Sequence, residues 1–158
     1  MRPSRAYGEP SQTPESSGAG SASRSRRLRA GQRLRGTFDG TVDEAAIIDY
    51  QRSLGLRPSK VRLPDNSAVF CAVESIEPER YFSFRWTPYG IDAEADPENE
   101  PTTLVEFRLE PVAEGTLLTI VESGFDRVPA HRRERAFRMN EGGWATQAEN
   151  LKKYVEGP

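Results

Sequence analysis

"LVEFRLEPVAEGTLLTIVES", Leu104 to Ser123, decides the fold. Val105, Phe107 and Leu109 alternate with Glu106, Arg108 and Glu110, and beyond a short connection Leu118 and Ile120 alternate with Leu117, Thr119 and Val121. A period of two is that of strands with unlike faces, and "PVAEG" is long enough only for an antiparallel return. With the turn closed around "PVAE", Glu110 is expected opposite Gly115, Phe107 opposite Leu118 and Val105 opposite Ile120. Alternation then points Glu122 to the same face as Val105, Phe107 and Ile120.

The same period appears upstream. Phe82, Phe84 and Trp86 alternate with Tyr81, Ser83 and Arg85, and "EPER" is a second turn-sized connection. Val69, Cys71 and Val73 alternate with Ala68, Phe70 and Ala72, so that strand is apolar on both faces and belongs inside a sheet. "RLRGTFDG" sets Leu34, Gly36 and Phe38 against Arg33, Arg35, Thr37 and Asp39, the pattern of a half-buried first strand. Between these lies a helix: Thr41 and Glu44 form a T-x-x-E capping box, Ile47, Tyr50 and Leu54 repeat at helical spacing, and Gly55 suits the position after the last turn. A short edge strand is expected at Lys60 to Leu63.

After Pro129 the period changes. Phe137, Trp144, Ala148, Leu151 and Val155 keep to one helical face almost to the C-terminus. That helix carries Gly142 and Gly143 side by side, each costing its interior about 1 kcal/mol relative to alanine. Two missing side chains imply a close approach at that turn, either to the sheet or to a ligand held between sheet and helix. The expected architecture is α+β: a curved antiparallel sheet packed on a long C-terminal helix, with an extra helix inserted after the first strand.

Composition bounds the function. The 158 residues carry 22 basic and 24 acidic side chains, a net charge of -2, which offers no global attraction to nucleic acid. No apolar run is long enough to span a bilayer, so no membrane partner is expected. One cysteine, Cys71, excludes an internal disulfide and a four-cysteine metal or iron–sulfur site, and the expected compartment is the cytoplasm. Residues 1–27 are rich in Arg, Ser, Gly and Pro and are expected to form a disordered tail, whose Arg24, Arg26 and Arg27 are a solvated basic cluster rather than a phosphate site.

Candidate chemistry is sparse. His131 lies in an Arg-rich first turn without a partner, so it lacks the setting of a general base, and Cys71 reads as core; no catalytic residue and no metal site is assigned. "GIDAEADPENEP" places Asp92, Glu94, Asp96, Glu98 and Glu100 at alternate positions, a solvated acidic loop with a partner-facing patch or calcium ligands as alternatives. Glu122 stands out because an inward carboxylate must find hydrogen bonds, lie at a cavity mouth or remain protonated. It is either the polar anchor of an apolar pocket or a carboxylate bonded to backbone near Ser123–Gly124. Around it the periodicities place Phe82, Phe84, Trp86, Phe107 and Ile120 from the sheet, with Phe137, Asn140 and Trp144 from the helix. Each of those aromatics would also serve as plain core, and core is the reading to beat.

Three segments, "FSFRW", "PTTLVEFRLEPVAEGTLLTIVESGFDRVP" and "RAFRMNEGGWATQAENLKKYV", resemble the SRPBCC (START/Bet v 1-like) superfamily, in the branch similar to the C-terminal domain of the Hsp90 ATPase activator. The resemblance runs from about Leu28 to Val155 and implies a helix-grip fold with an apolar cavity between sheet and helix. The family's opening strand and two short helices have no counterpart in residues 1–27, so the domain at 28–158 reads as N-terminally truncated, with an exposed sheet edge prone to self-association. The expected function is binding of a small hydrophobic ligand, with no cofactor and no evident catalysis. A co-chaperone-like module acting on an Hsp90-type ATPase is the alternative, and a cyclase-like enzyme the third reading.

Overall fold

A computed structural model describes residues 27–35, 43–62, 69–96 and 98–157. Its elements are β1 (Arg33–Arg35), α1 (Glu44–Ser53), β2 (Val69–Glu77), β3 (Tyr81–Trp86), β4 (Thr103–Val112), β5 (Gly115–Ser123), a 3-10 turn (Phe125–Arg127) and α2 (Ala130–Glu156). The strands form one sheet in the order β1-β2-β3-β4-β5, each pair antiparallel. Short hairpin connections enforce this meander wherever consecutive strands are joined by a few residues. Irregularities at Leu34/Arg35 and between Val73 and Ser75 bend the β1–β2–β3 side of the sheet. The architecture is the expected α+β helix grip, with α1 as the helix inserted after the first strand.

Several expectations are corrected in detail. The β4–β5 turn is tighter than "PVAE": Val112 pairs with Gly115, which puts Phe107 opposite Ile120, Val105 opposite Glu122 and Glu110 opposite Leu117. Gly115 follows the two-residue turn at φ +143, a backbone conformation that favours glycine. The register has moved by two residues, so every side chain keeps its face. The cap of α1 is Asp43, whose Oδ1 accepts from Ala45 N at 2.9 Å; Thr41 lies outside the described residues, as do Gly36 to Asp39. An aspartate one residue before the helix reaches the second free N–H directly, which leaves no role for a box based on Glu44. Gly55 does end the helix, at φ +71. The expected edge strand at Lys60 to Leu63 reduces to one bridge, Val61 to Asp92, with Leu63 outside the described residues.

Two apolar clusters hold the fold. One joins Tyr89, Val128, Ala136 and Met139 with Ile47, Leu54, Leu56, Ile91 and Phe125, clamping α1 and the β3–β4 connection to the first half of α2. The other lies on the inner face of the sheet: Cys71, Phe84 and Val105 at the base, with Leu34, Phe82, Trp86, Phe107, Ile120 and Trp144 packed on them. Between the helices a polar spine adds to this apolar contact. Buried Gln51 donates to Tyr89 Oη at 2.8 Å and accepts from Ser59 N at 2.7 Å, while Arg135 donates to Ser59 Oγ at 2.9 Å and Arg138 to Leu54 O at 2.8 Å.

The paired glycines have separate explanations. A Cβ at Gly142 would overlap Tyr50 Oη and stand 2.9 Å from its Cζ, so the close approach is made by a ring from α1 rather than by the sheet. A Cβ at Gly143 would meet nothing within 4 Å. Only the first glycine is required by packing.

Candidate functional site

Glu122 is the polar centre of a side-chain cluster on the inner face. It is the penultimate residue of β5, and its alternation with Val121 and Ser123 turns it toward α2. Trp86 ends β3 and Thr103 begins β4; the two are paired across the ladder, which brings both to the rim where Glu122 lies. Asn140 and Trp144 are one turn apart on α2 and therefore share a face. Four side chains converge on the one carboxylate as a result.

Trp86 Nε1 donates to Glu122 Oε1 at 2.8 Å and Thr103 Oγ1 donates to the same oxygen at 2.6 Å. Trp144 Nε1 donates to Oε2 at 2.6 Å, and Asn140 Nδ2 spans both oxygens at 3.0 and 3.1 Å. Every donor is neutral. The bonds are short, and the arrangement fixes the planes of both indoles. The partners are side chains, so the alternative of a carboxylate bonded to backbone near Ser123–Gly124 is set aside.

The indoles belong to a continuous aromatic wall. Trp86 and Trp144 have ring centroids 5.4 Å apart, Phe107 meets Trp144 edge-on at 5.8 Å, and Phe84 stands 6.0 to 6.1 Å from Trp86 and Phe107. Phe82 completes the row at 5.7 Å from Phe84. Phe84 and Val105 are buried beneath, whereas Phe82, Trp86, Phe107, Ile120 and Trp144 are only partly covered. Such a wall, apolar with one polar centre, has the composition of a small-molecule site. Hollows of about 400 and 450 Å³ among the described residues lie elsewhere, around Arg80, Leu109 and Pro111 at the turn end of the hairpins.

Of the nine residues expected around the pocket, Phe82, Phe84, Trp86, Phe107, Ile120, Glu122, Asn140 and Trp144 are brought together. Phe137 is not: it is 48% exposed and packs edge-on against Phe125 at 5.2 Å. It shares the helical face of Trp144 but lies seven residues earlier, about 10 Å along the axis, where the 3-10 turn rather than the sheet faces the helix. Thr103 was missed. Its position directly across the ladder from Trp86 would have revealed it only with the strand register known.

The remaining candidates resolve into structure. Cys71 is buried, and burial pushes its thiol up to about 11, so it is neither nucleophile nor thiolate ligand at neutral pH. His131 is exposed on the first turn of α2. The acidic loop is not wholly solvated: Asp92 and Glu100 turn inward to Arg132, at 3.6 and 3.0 Å, with Arg132 only 3% exposed. Asp92 also accepts from Glu94 N, and Asp96 binds Glu98 N and Asn99 within the loop. Among the described residues no three His, Cys, Asp or Glu side chains converge on a metal-sized site. Nor is any described helix long and apolar enough to cross a membrane.

No curated protein and no solved structure matches the chain. A family does: residues 58–156 match the model described as "Activator of Hsp90 ATPase homolog 1-like protein". That span begins after α1 and takes in β2 to β5 and all of α2, so it contains the whole constellation around Glu122. On that match, over more than half of its length, the chain belongs to the Activator of Hsp90 ATPase homolog 1-like family of SRPBCC-type domains.

Proposed function

We propose that the chain binds a small hydrophobic molecule on the inner face of its sheet, beneath α2, and does so without a catalytic step. The observation that carries this reading is the partly covered aromatic wall of Phe82, Trp86, Phe107 and Trp144 set around one carboxylate. Large apolar rings left partly exposed side by side are costly to a monomer unless something covers them. Glu122 acts here as a positioning residue. Its oxygens are occupied by protein donors, and it holds the two indoles at the angle in which their faces line the wall.

The chain's two tryptophans are Trp86 and Trp144, so its tryptophan emission, excited apart from that of its five tyrosines, reports on this site alone. Titration with a panel of apolar probes, among them a naphthalene sulfonate, a sterol and medium-chain alcohols, is expected to shift that emission saturably. The same probes should raise the unfolding temperature, since a ligand selective for the native state stabilises it by mass action. A panel that leaves both emission and unfolding unchanged would overturn the proposal.

The family match favours a second reading, a co-chaperone-like module that stimulates an Hsp90-type ATPase. Chaperone ATPase turnover measured with and without the chain separates the two. Stimulation without any probe-dependent change at the tryptophans would select the module over the binder.

A further inference from the structure

We propose that the chain forms a two-fold dimer by pairing β5 with β5 of a second copy, joining two five-stranded sheets into one. β5 ends the strand order, and no strand lies beyond it among the described residues. It is nine residues long, Gly115–Ser123, longer than the edge strands that proteins leave bare. Free edges are usually protected by lysine, proline, a bulge or an inward charge. Its one charge, the inward Glu122 near its end, is occupied by donors of its own chain; from Gly115 to Val121 it has no charge and no proline, its ladder with β4 has no irregularity, and its outward Leu117 and Val121 are 48% and 37% exposed.

The occupant follows from self-complementarity. In an antiparallel pair about a two-fold axis normal to the sheet, facing residues must have the same parity, or the faces of the two copies do not match. With Thr119 on the axis, Leu117 faces Val121 of the second copy on the outer surface and Leu118 faces Ile120 on the inner one. Glu122 then faces Thr116 and Gly115 faces Ser123. Apolar side chains meet apolar ones, the axis has a threonine pair, and no like charges oppose. A strand that satisfies all these conditions against itself is suited to its own copy. The pairing leaves the Glu122 constellation untouched, so it stands apart from the question of what the inner face binds.

Sedimentation velocity of the full chain over a range of concentrations tests this, with two variants. Thr119→Glu is compatible with the monomer, because residue 119 faces Arg108 of β4, but it sets two carboxylates against each other on the axis. We expect the parent chain to sediment as a dimer and Thr119→Glu to weaken that dimer about fivefold or more, with circular dichroism unchanged. Thr119→Cys should cross-link to its own copy under mild oxidation, since Cys71 is buried and does not compete. A monomer at every concentration overturns the proposal. So does a dimer that ignores Thr119→Glu and fails to cross-link through Thr119→Cys, which places the interface elsewhere. Slow exchange of β5 amides in a monomer would mean that another segment of the same chain covers the edge, and overturns it too.

Discussion

Replacing each glycine of the α2 pair by alanine should move stability in opposite directions. Both changes gain about 1 kcal/mol of helix propensity. At Gly143 nothing opposes that gain, since the new methyl meets no atom within 4 Å. At Gly142 the methyl overlaps Tyr50 Oη and stands 2.9 Å from Cζ, both rigidly part of one ring, so the ring must leave its place. Tyr50 is 38% exposed, hence roughly 60% covered. For an aromatic side chain of about 200 Å² that is about 120 Å² of contact, or about 3 kcal/mol at 25 cal/mol per Å². Complete loss of this contact makes Gly142→Ala less stable than the parent by about 2 kcal/mol, while Gly143→Ala is more stable by about 1. Urea unfolding of both variants, and of each in a Tyr50→Ala background, measures the difference. In that background Gly142→Ala should become stabilising, a coupling of about 3 kcal/mol between positions 50 and 142. Equal effects of the two alanines, or no coupling to Tyr50, would refute the assignment of Gly142 to helix–helix contact.

Three further outcomes follow from the same geometry. Glu122→Gln leaves an amide nitrogen facing at least two donors, least harmfully at the Oε2 position now bonded by Trp144 and Asn140, and should cost about 2 kcal/mol with a change in tryptophan emission; unchanged stability and emission would deny the carboxylate its role. Arg132→Met leaves the buried Asp92 and the partly buried Glu100 without their cation and should cost about 3 kcal/mol in thermal or urea unfolding. Burial raises the Cys71 thiol from 9.0 to about 11, so its contribution is complete below pH 9 and declines as pH rises toward 11, by about 3 kcal/mol in all. Cys71→Ala should flatten that alkaline decline in stability, which unfolding at pH 8 and above reads directly.

The local patterns in the chain carried most of the architecture. Period two around Phe84, Phe107 and Ile120, and helical period from Ala136 to Leu151, follow from backbone geometry that any strand or helix must obey. Glu122 was legible as inward for the same reason, and a two-residue error in hairpin register did not disturb it, because faces repeat every second residue. What parity cannot say is which residues meet. That Thr103, Trp86, Trp144 and Asn140 all reach one carboxylate depends on where β3 and β4 end beside β5 and on how far along α2 the sheet extends.

The same limit explains the misplaced residues. Phe137 and Trp144 are equivalent by helical angle, yet one meets the 3-10 turn and the other the sheet, a difference of position along the axis that periodicity does not contain. Gly142 and Gly143 are identical in the sequence, and only the arrival of Tyr50 from a helix ninety residues earlier distinguishes them. The alternating acids from Asp92 to Glu100 looked uniformly solvated until Arg132 drew two of them inward. Element type and facing are properties of short segments, so the sequence alone determined them. Contacts between segments depend on distances the folded chain sets, so only the tertiary structure decided which side chains share a site.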